Sequence, residues 1–246
     1  MNNLKQRRTI RKYSSEDISE TFLTQLLTEA ERTPTMGNLQ LYSVVISRNS
    51  EMKRRLAPAH FNQPMVESAP VVLTFCADSR RTTLWARQRK GNPGYNNFLS
   101  FVNAAADALL YCQTFCNLAE EKGLGTCFLG TTFYNPLSIV ETLALPRLVM
   151  PVGTITLGWP AESPGQSERL PIESIIHSET YCDYTPELID RFYAEKESLP
   201  ANRQFVEINN KETLAQVFTD IRYTRADNEH ISATLISALK HQGFLD

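Results

Sequence analysis

The chain has 246 residues, 42% of them hydrophobic, which is enough to bury a sizeable core and too apolar for a disordered segment. Its formal charge of -2, from 25 basic and 27 acidic side chains spread along the length, excludes a broad nucleic-acid footprint but leaves room for a ligand carrying one or two phosphates. The polar, basic opening MNNLKQRRTIRKY lacks the apolar run of a secretory signal and no stretch reads as a membrane span, so the expected location is the cytoplasm.

Taken in chain order, residues 18–32 place Phe22, Leu23, Leu26, Leu27 and Ala30 at helical spacing, with Ser14, Ser15 and Asp17 as candidate caps. Residues 42–47 and 70–77 are short β-branched and aromatic runs that read as strands, the second of them central. Residues 98–122 are Ala- and Leu-rich and apolar around much of the circumference, the pattern of a buried central helix. A brief strand at 126–130, a short helix at 136–144 and a central strand at 152–158 follow. This mixing of the two element types within one core predicts an α+β, three-layer αβα architecture.

From Ala161 the composition turns polar, with Pro and Gly, and helical segments follow at 186–196 and 231–242. The expected organisation is a core over residues 1–160 and, over 161–246, a loop and helical extension packing on that core or on a second subunit. The five cysteines, Cys76, Cys112, Cys116, Cys127 and Cys182, show no paired ligand spacing and read as buried structural thiols, with no metal site. His60, His177, His230 and His241 are scattered and read as surface or structural residues.

Two polar clusters offer chemistry. Arg7, Arg8, Thr9 and Arg11 bring three guanidinium groups and a hydroxyl together, a donor set suited to a terminal phosphate, although such a run is also what a solvated face looks like. Thr35, Asn38 and Gln40, in a loop shaped by Pro34 and Gly37, offer hydroxyl and amide groups that both donate and accept. There is no G-x-G-x-x-G after a strand, no phosphate loop, no G-x-S-x-G elbow and no H-E-x-x-H helix.

The order R-R-T-I-R-K-Y, T-P-T-M-G-N-L-Q, P-V-V-L-T-F-C-A-D, G-L-G-T-C-F-L-G, L-P-x-x-V-M-P-V-G-T-I-T-L-G-W-P and E-R-L-P resembles the nitroreductase family. It is most similar to the larger bacterial branch of NADPH-preferring nitroreductases and flavin reductases. The resemblance implies a central mixed, mostly antiparallel sheet and a homodimer with FMN at the subunit interface. It implies a hydride passed from NADPH or NADH through the flavin to a nitroaromatic, quinone or free flavin. No side chain is expected to act as nucleophile or general base.

Carried over residue by residue, the resemblance assigns the FMN phosphate to Arg7, Arg8, Thr9, Arg11 and Arg169, and the ribityl chain and ring to Thr35, Asn38 and Gln40. It places Gln63 at the ring and runs Phe128, Leu129, Gly130 and Thr131 past the flavin. Two positions depart from the branch: Thr131 stands where a second glycine is common, and Ser167 stands where a basic residue is common. Arg203, in the polar tail, is a further candidate for a 2′-phosphate. A dehalogenase-like or flavin-processing relative and a non-enzymatic flavin-binding protein are the alternatives.

Overall fold

The computed structural model describes residues 3–245. Four strands, β1 (Tyr42–Ser47), β2 (Val71–Asp78), β3 (Gly125–Leu129) and β4 (Val149–Gly158), form one sheet in the order β1-β2-β4-β3. Every pairing among the described residues is antiparallel, so the expected mixed sheet is a purely antiparallel one within the chain. β2 and β4 are buried along their whole lengths, as central strands require. β4 begins three residues before the sequence pattern shows it. Pro151 interrupts the β-branched run, and a bulge opposite Phe75 and Cys76 absorbs the break, with Phe75 paired to Gly153 and Cys76 to Pro151.

The helices are α1 (Asn3–Gln6), α2 (Glu20–Ala30), α3 (Ser50–Leu56), α4 (Pro64–Ser68), α5 (Arg80–Gln88), α6 (Phe98–Glu121), α7 (Pro136–Thr142), α8 (Pro186–Ser198), α9 (Pro200–Ile208), α10 (Leu214–Val217) and α11 (Arg225–Gln242). α2 is capped by Ser19, whose hydroxyl accepts the Phe22 N–H at 3.2 Å, rather than by Ser14, Ser15 or Asp17. Asp17 lies too far upstream for that role and instead pairs with Arg48 at 3.1 Å.

Alternation along the strands divides the core into two faces. On one, α2 and α6 cover Leu73, Phe75, Ile155 and Leu157; the small side chains of Ala104, Ala108 and Ala119 let α6 approach closely, while Phe115 and Tyr111 pack on Phe75 at 6.1 and 5.9 Å between ring centroids. Each such fully buried Leu or Phe contributes about 2 kcal/mol. On the other face, Cys127 and Leu129 meet Leu56, Met65, Val66 and Ile139 from α3, α4 and α7. The sheet is thus the middle of three layers.

The chain divides into two compact units, one of the described residues up to Gln166 together with those from Ile231 onward, the other Ser167–His230. The second unit contains α8 to α10. Its own small core includes Phe192, Leu214 and Val217, and a reciprocal capping box between Thr213 and Gln216 opens α10. Cys76, Cys112, Cys116 and Cys127 are buried, but Cys182 is exposed, in the segment that precedes α8. Among the described residues no helix is long and apolar enough to cross a membrane.

Candidate functional site

The basic N-terminal segment lies as a strap along the outer edge of β3. Ile10 donates its N–H to the Thr126 carbonyl at 3.0 Å, Ser14 to Trp159 at 2.9 Å, and Ala161 returns a bond to Lys12 at 2.9 Å. Two glycines make the approach sterically feasible. A β-carbon on Gly125 would fall 2.7 Å from Ile10, and one on Gly158 would fall 2.7 Å from the Tyr13 ring. Glu162 pins the strap from outside. Its Oε1 accepts the N–H groups of Arg11 at 2.6 Å and Lys12 at 3.0 Å, and these bonds hold its carboxyl below the usual glutamate range.

The strap carries the predicted phosphate donors. Arg7 and Arg8 help line a cavity of about 340 Å³ with Glu120 and Gly125. Arg7 Nε lies 3.3 Å from Glu120, and Arg8 donates to Ser163 Oγ at 2.8 Å and to the Pro164 carbonyl at 3.0 Å. Guanidinium forks around an open cavity fit phosphate oxygens. Glu120 works against an anion, but burial pushes its carboxyl toward the neutral form, with the Thr126 hydroxyl and Arg7 opposing. Thr9 is half-buried and Arg11 exposed. Burial raises the Cys127 thiol, and the positive charges of Arg11 and Arg7 oppose that rise.

Further along β3, residues 128–131 meet the loop that holds Gln63. The Phe128 ring lies over Gly153, where an added β-carbon would come within 2.9 Å of it, and remains partly exposed. Leu129 is buried in the second core face, leaving Gly130 and Thr131 at the surface turn. His60 joins the two segments: its Nδ1 lies 2.9 Å from Thr131 Oγ1. The imidazole is fully buried, its Nε2 has no hydrogen-bond partner among the described residues, and burial pushes its pKa down to about 4. Gln63, half-buried, follows Phe61 and Asn62, both in the left-handed region at φ of 55° and 52°.

The third group stands apart. Thr35, Asn38 and Gln40 lie in the loop entering β1, at the sheet end where Tyr42 pairs with Ala77 and Ala77 with Met150. The strap lies at the other end, where Gly125 pairs with Gly158. From Met150 to Gly158 is about 26 Å at roughly 3.3 Å per residue, and β1 is displaced from β3 by about 14 Å at roughly 4.8 Å per strand. One chain therefore brings Arg7, Arg8, Thr9, Arg11, Phe128, Leu129, Gly130, Thr131 and Gln63 along one edge, and holds Thr35, Asn38 and Gln40 at the opposite corner. Arg169 belongs to the second unit, exposed, with its Nη1 donating to the Glu168 carbonyl at 2.8 Å.

Four residues outside the predicted set shape these groups. Asp107, fully buried on α6, accepts the N–H groups of Met36 at 2.8 Å and Leu41 at 3.1 Å and so clamps both ends of the polar loop. Arg81 donates to the carbonyls of Gln40 and Tyr42. With Gly37, Asn38 and Gln40 all at positive φ, the loop holds a conformation that its clamps must stabilise. Asp107 had a visible signal, as the lone acid before Glu120 in the Ala- and Leu-rich α6. His60 and Glu162 had none, because their partners are distant in sequence.

Among the described residues the core is antiparallel α+β and contains no Rossmann unit, with an arginine strap at one edge and a clamped amide loop at the opposite corner. The Nitroreductase family profile matches residues 4–159, and the chain belongs to that family. It is 32% identical over 178 residues to the FMN reductase [NAD(P)H] of Bacillus subtilis (strain 168), with 72% of each chain covered. A solved structure from Bacteroides fragilis NCTC 9343 superposes with a TM-score of 0.98 at 59% identity, covering 100% of both chains. NfrA1 nitroreductase from B. subtilis superposes with a TM-score of 0.84 at 25% identity, covering 98% of this chain and 97% of that one.

Proposed function

We propose that the protein is a cytoplasmic, FMN-dependent homodimer that passes reducing equivalents from NADPH, or NADH, to a small acceptor such as a nitroaromatic, a quinone or free flavin. The observation that carries this reading is the division of the polar groups between opposite corners of one sheet. A flavin held by the strap of one chain needs the amide loop of a second to complete its surroundings, so the site is whole only in a pair.

When bound, FMN supplies the redox chemistry, accepting a hydride from the nicotinamide and delivering electrons to the acceptor. The chain's own residues bind and orient. Arg7, Arg8, Thr9 and Arg11 receive the phosphate, with Arg169 as a further donor, and Ser163 and Pro164 aim the Arg8 guanidinium. Asn38, Gln40 and Gln63 offer amides to the polar edge of the ring and Thr35 a hydroxyl. The turn at Gly130 and Thr131 presents main-chain N–H groups, and the partly exposed Phe128 supplies an apolar wall. NADPH is the proposed preferred reductant, and nicotinamide and acceptor use the same open face in turn.

The test is the absorption spectrum of the purified protein, titrated anaerobically with each nicotinamide, together with its mass in solution. A yellow dimer that bleaches with NADPH and recovers its colour with a nitroarene or quinone is expected. A colourless protein that cannot be reconstituted with FMN overturns the reading.

A further inference from the structure

At the Val149 end of β4, away from the strap, a cavity of about 460 Å³ is walled by Arg80, Thr83 and Arg87 of α5, by Tyr95 and Asn96 of the following loop, and by Arg147. We propose that this cavity is a second anion site, one that takes the phosphate monoester of a nucleoside.

The helix places its share of the site by periodicity. Arg80, Thr83, Leu84 and Arg87 stand at i, i+3, i+4 and i+7, on one face of α5. Arg147 is held on the opposite wall. Its Nη1 donates to the His241 carbonyl at 3.2 Å, and its guanidinium lies across Gly243, where φ is +80° and an added β-carbon would fall 2.9 Å from Cζ. A residue with a side chain at 243 would displace that guanidinium.

The charge balance points to an anion. Between residues 79 and 106 the sequence carries Arg80, Arg81, Arg87, Arg89 and Lys90 and neither Asp nor Glu. Among the described residues no ion pair within 4.0 Å involves Arg80, Arg87 or Arg147. Three like charges gathered around one cavity repel, and a dianion between them relieves that repulsion while accepting paired N–H bonds from each fork. The volume suits a small organic ligand, and the Tyr95 ring and Leu84 offer it apolar surface. By contrast Arg203, the tail residue with the same candidate role, lines a cavity with Glu197, Glu207 and Glu212 and sits in a negative setting.

Within one chain the strap and this cavity lie at opposite ends of β4, about 30 Å apart at roughly 3.3 Å per residue, so a phosphate on a chain's own strap is not the anion of its own cavity. The assignment stands whether or not the strap holds FMN. Calorimetric titration of the FMN-equilibrated protein with adenosine 2′-phosphate tests it, with visible absorbance of the same sample reporting flavin occupancy separately. One saturable site per chain is expected, weakened at least tenfold by Arg87→Gln and by Arg147→Gln and unchanged by Arg203→Gln; Arg80→Gln substitutes for either variant that fails to fold.

Adenosine 5′-phosphate identifies the source. Tighter binding of the 2′-phosphate, with Arg87→Gln raising the KM for NADPH but not for NADH, assigns the cavity to the coenzyme's own phosphate. Equal binding of the two, with both KM values unchanged, assigns it to a separate nucleotide. Absence of saturable binding at millimolar ligand, or binding that the arginine substitutions leave intact, overturns the proposal.

Discussion

Replacing Asp107 by Ala should loosen the loop that carries Thr35, Asn38 and Gln40 while leaving the sheet in place. The carboxylate accepts two main-chain N–H groups, from Met36 and Leu41, and is itself fully buried on α6. Truncation orphans both donors, at about 1–3 kcal/mol each, so the expected loss is about 2–6 kcal/mol of folding stability. Asp107→Asn keeps the shape and one accepting oxygen, and should cost roughly half as much. Urea unfolding gives the stability difference, and amide exchange at Met36 and Leu41 reports whether the loss is local. The two alleles should also weaken FMN binding in the same order. A loss below about 1 kcal/mol in Asp107→Ala, with exchange at those two amides unchanged, would refute the clamp.

Two further outcomes follow from buried contacts. His60 is held neutral, its pKa down to about 4 from the ordinary 6.5, so the unfolded chain takes up a proton that the folded one refuses. Stability attributable to this residue should therefore fall as pH drops from about 6.5 to about 4, by up to about 3 kcal/mol at roughly 1.4 kcal/mol per tenfold in proton affinity. The wild-type-minus-His60→Gln difference in unfolding midpoint, followed across that window, checks this, and a flat difference removes the burial argument. Gly125→Ala sets a methyl 2.7 Å from Ile10 and should cost about 1–3 kcal/mol by overpacking while lifting the strap. A thermal midpoint and an FMN affinity both equal to those of the wild type would show that the strap is not held where Gly125 admits it.

The layers were legible because their signals are local. β1 matches its β-branched run residue for residue, and α6 ends one residue short of the expected span. α5 was illegible for the opposite reason: Arg80, Arg81, Arg87 and Gln88 leave no apolar stripe, and the helix forms beside β2 on tertiary contacts such as Arg81 on the Gln40 and Tyr42 carbonyls. The candidate site follows the same division. Its donors could be named from motifs because hydroxyls, amides and guanidiniums announce their chemistry. That Arg8 and Gln40 lie at opposite corners of one sheet is a matter of strand order, which no spacing in the sequence records.

The strap has a second consequence, for solubility. β3 is an outermost strand, and the Ile10 N–H bonded to Thr126 occupies backbone that would otherwise be open to another chain. A protease that trimmed the first dozen residues would remove the arginine cluster and bare an unpaired sheet edge in the same cut. Loss of the arginine cluster and exposure of the sheet edge would therefore come together.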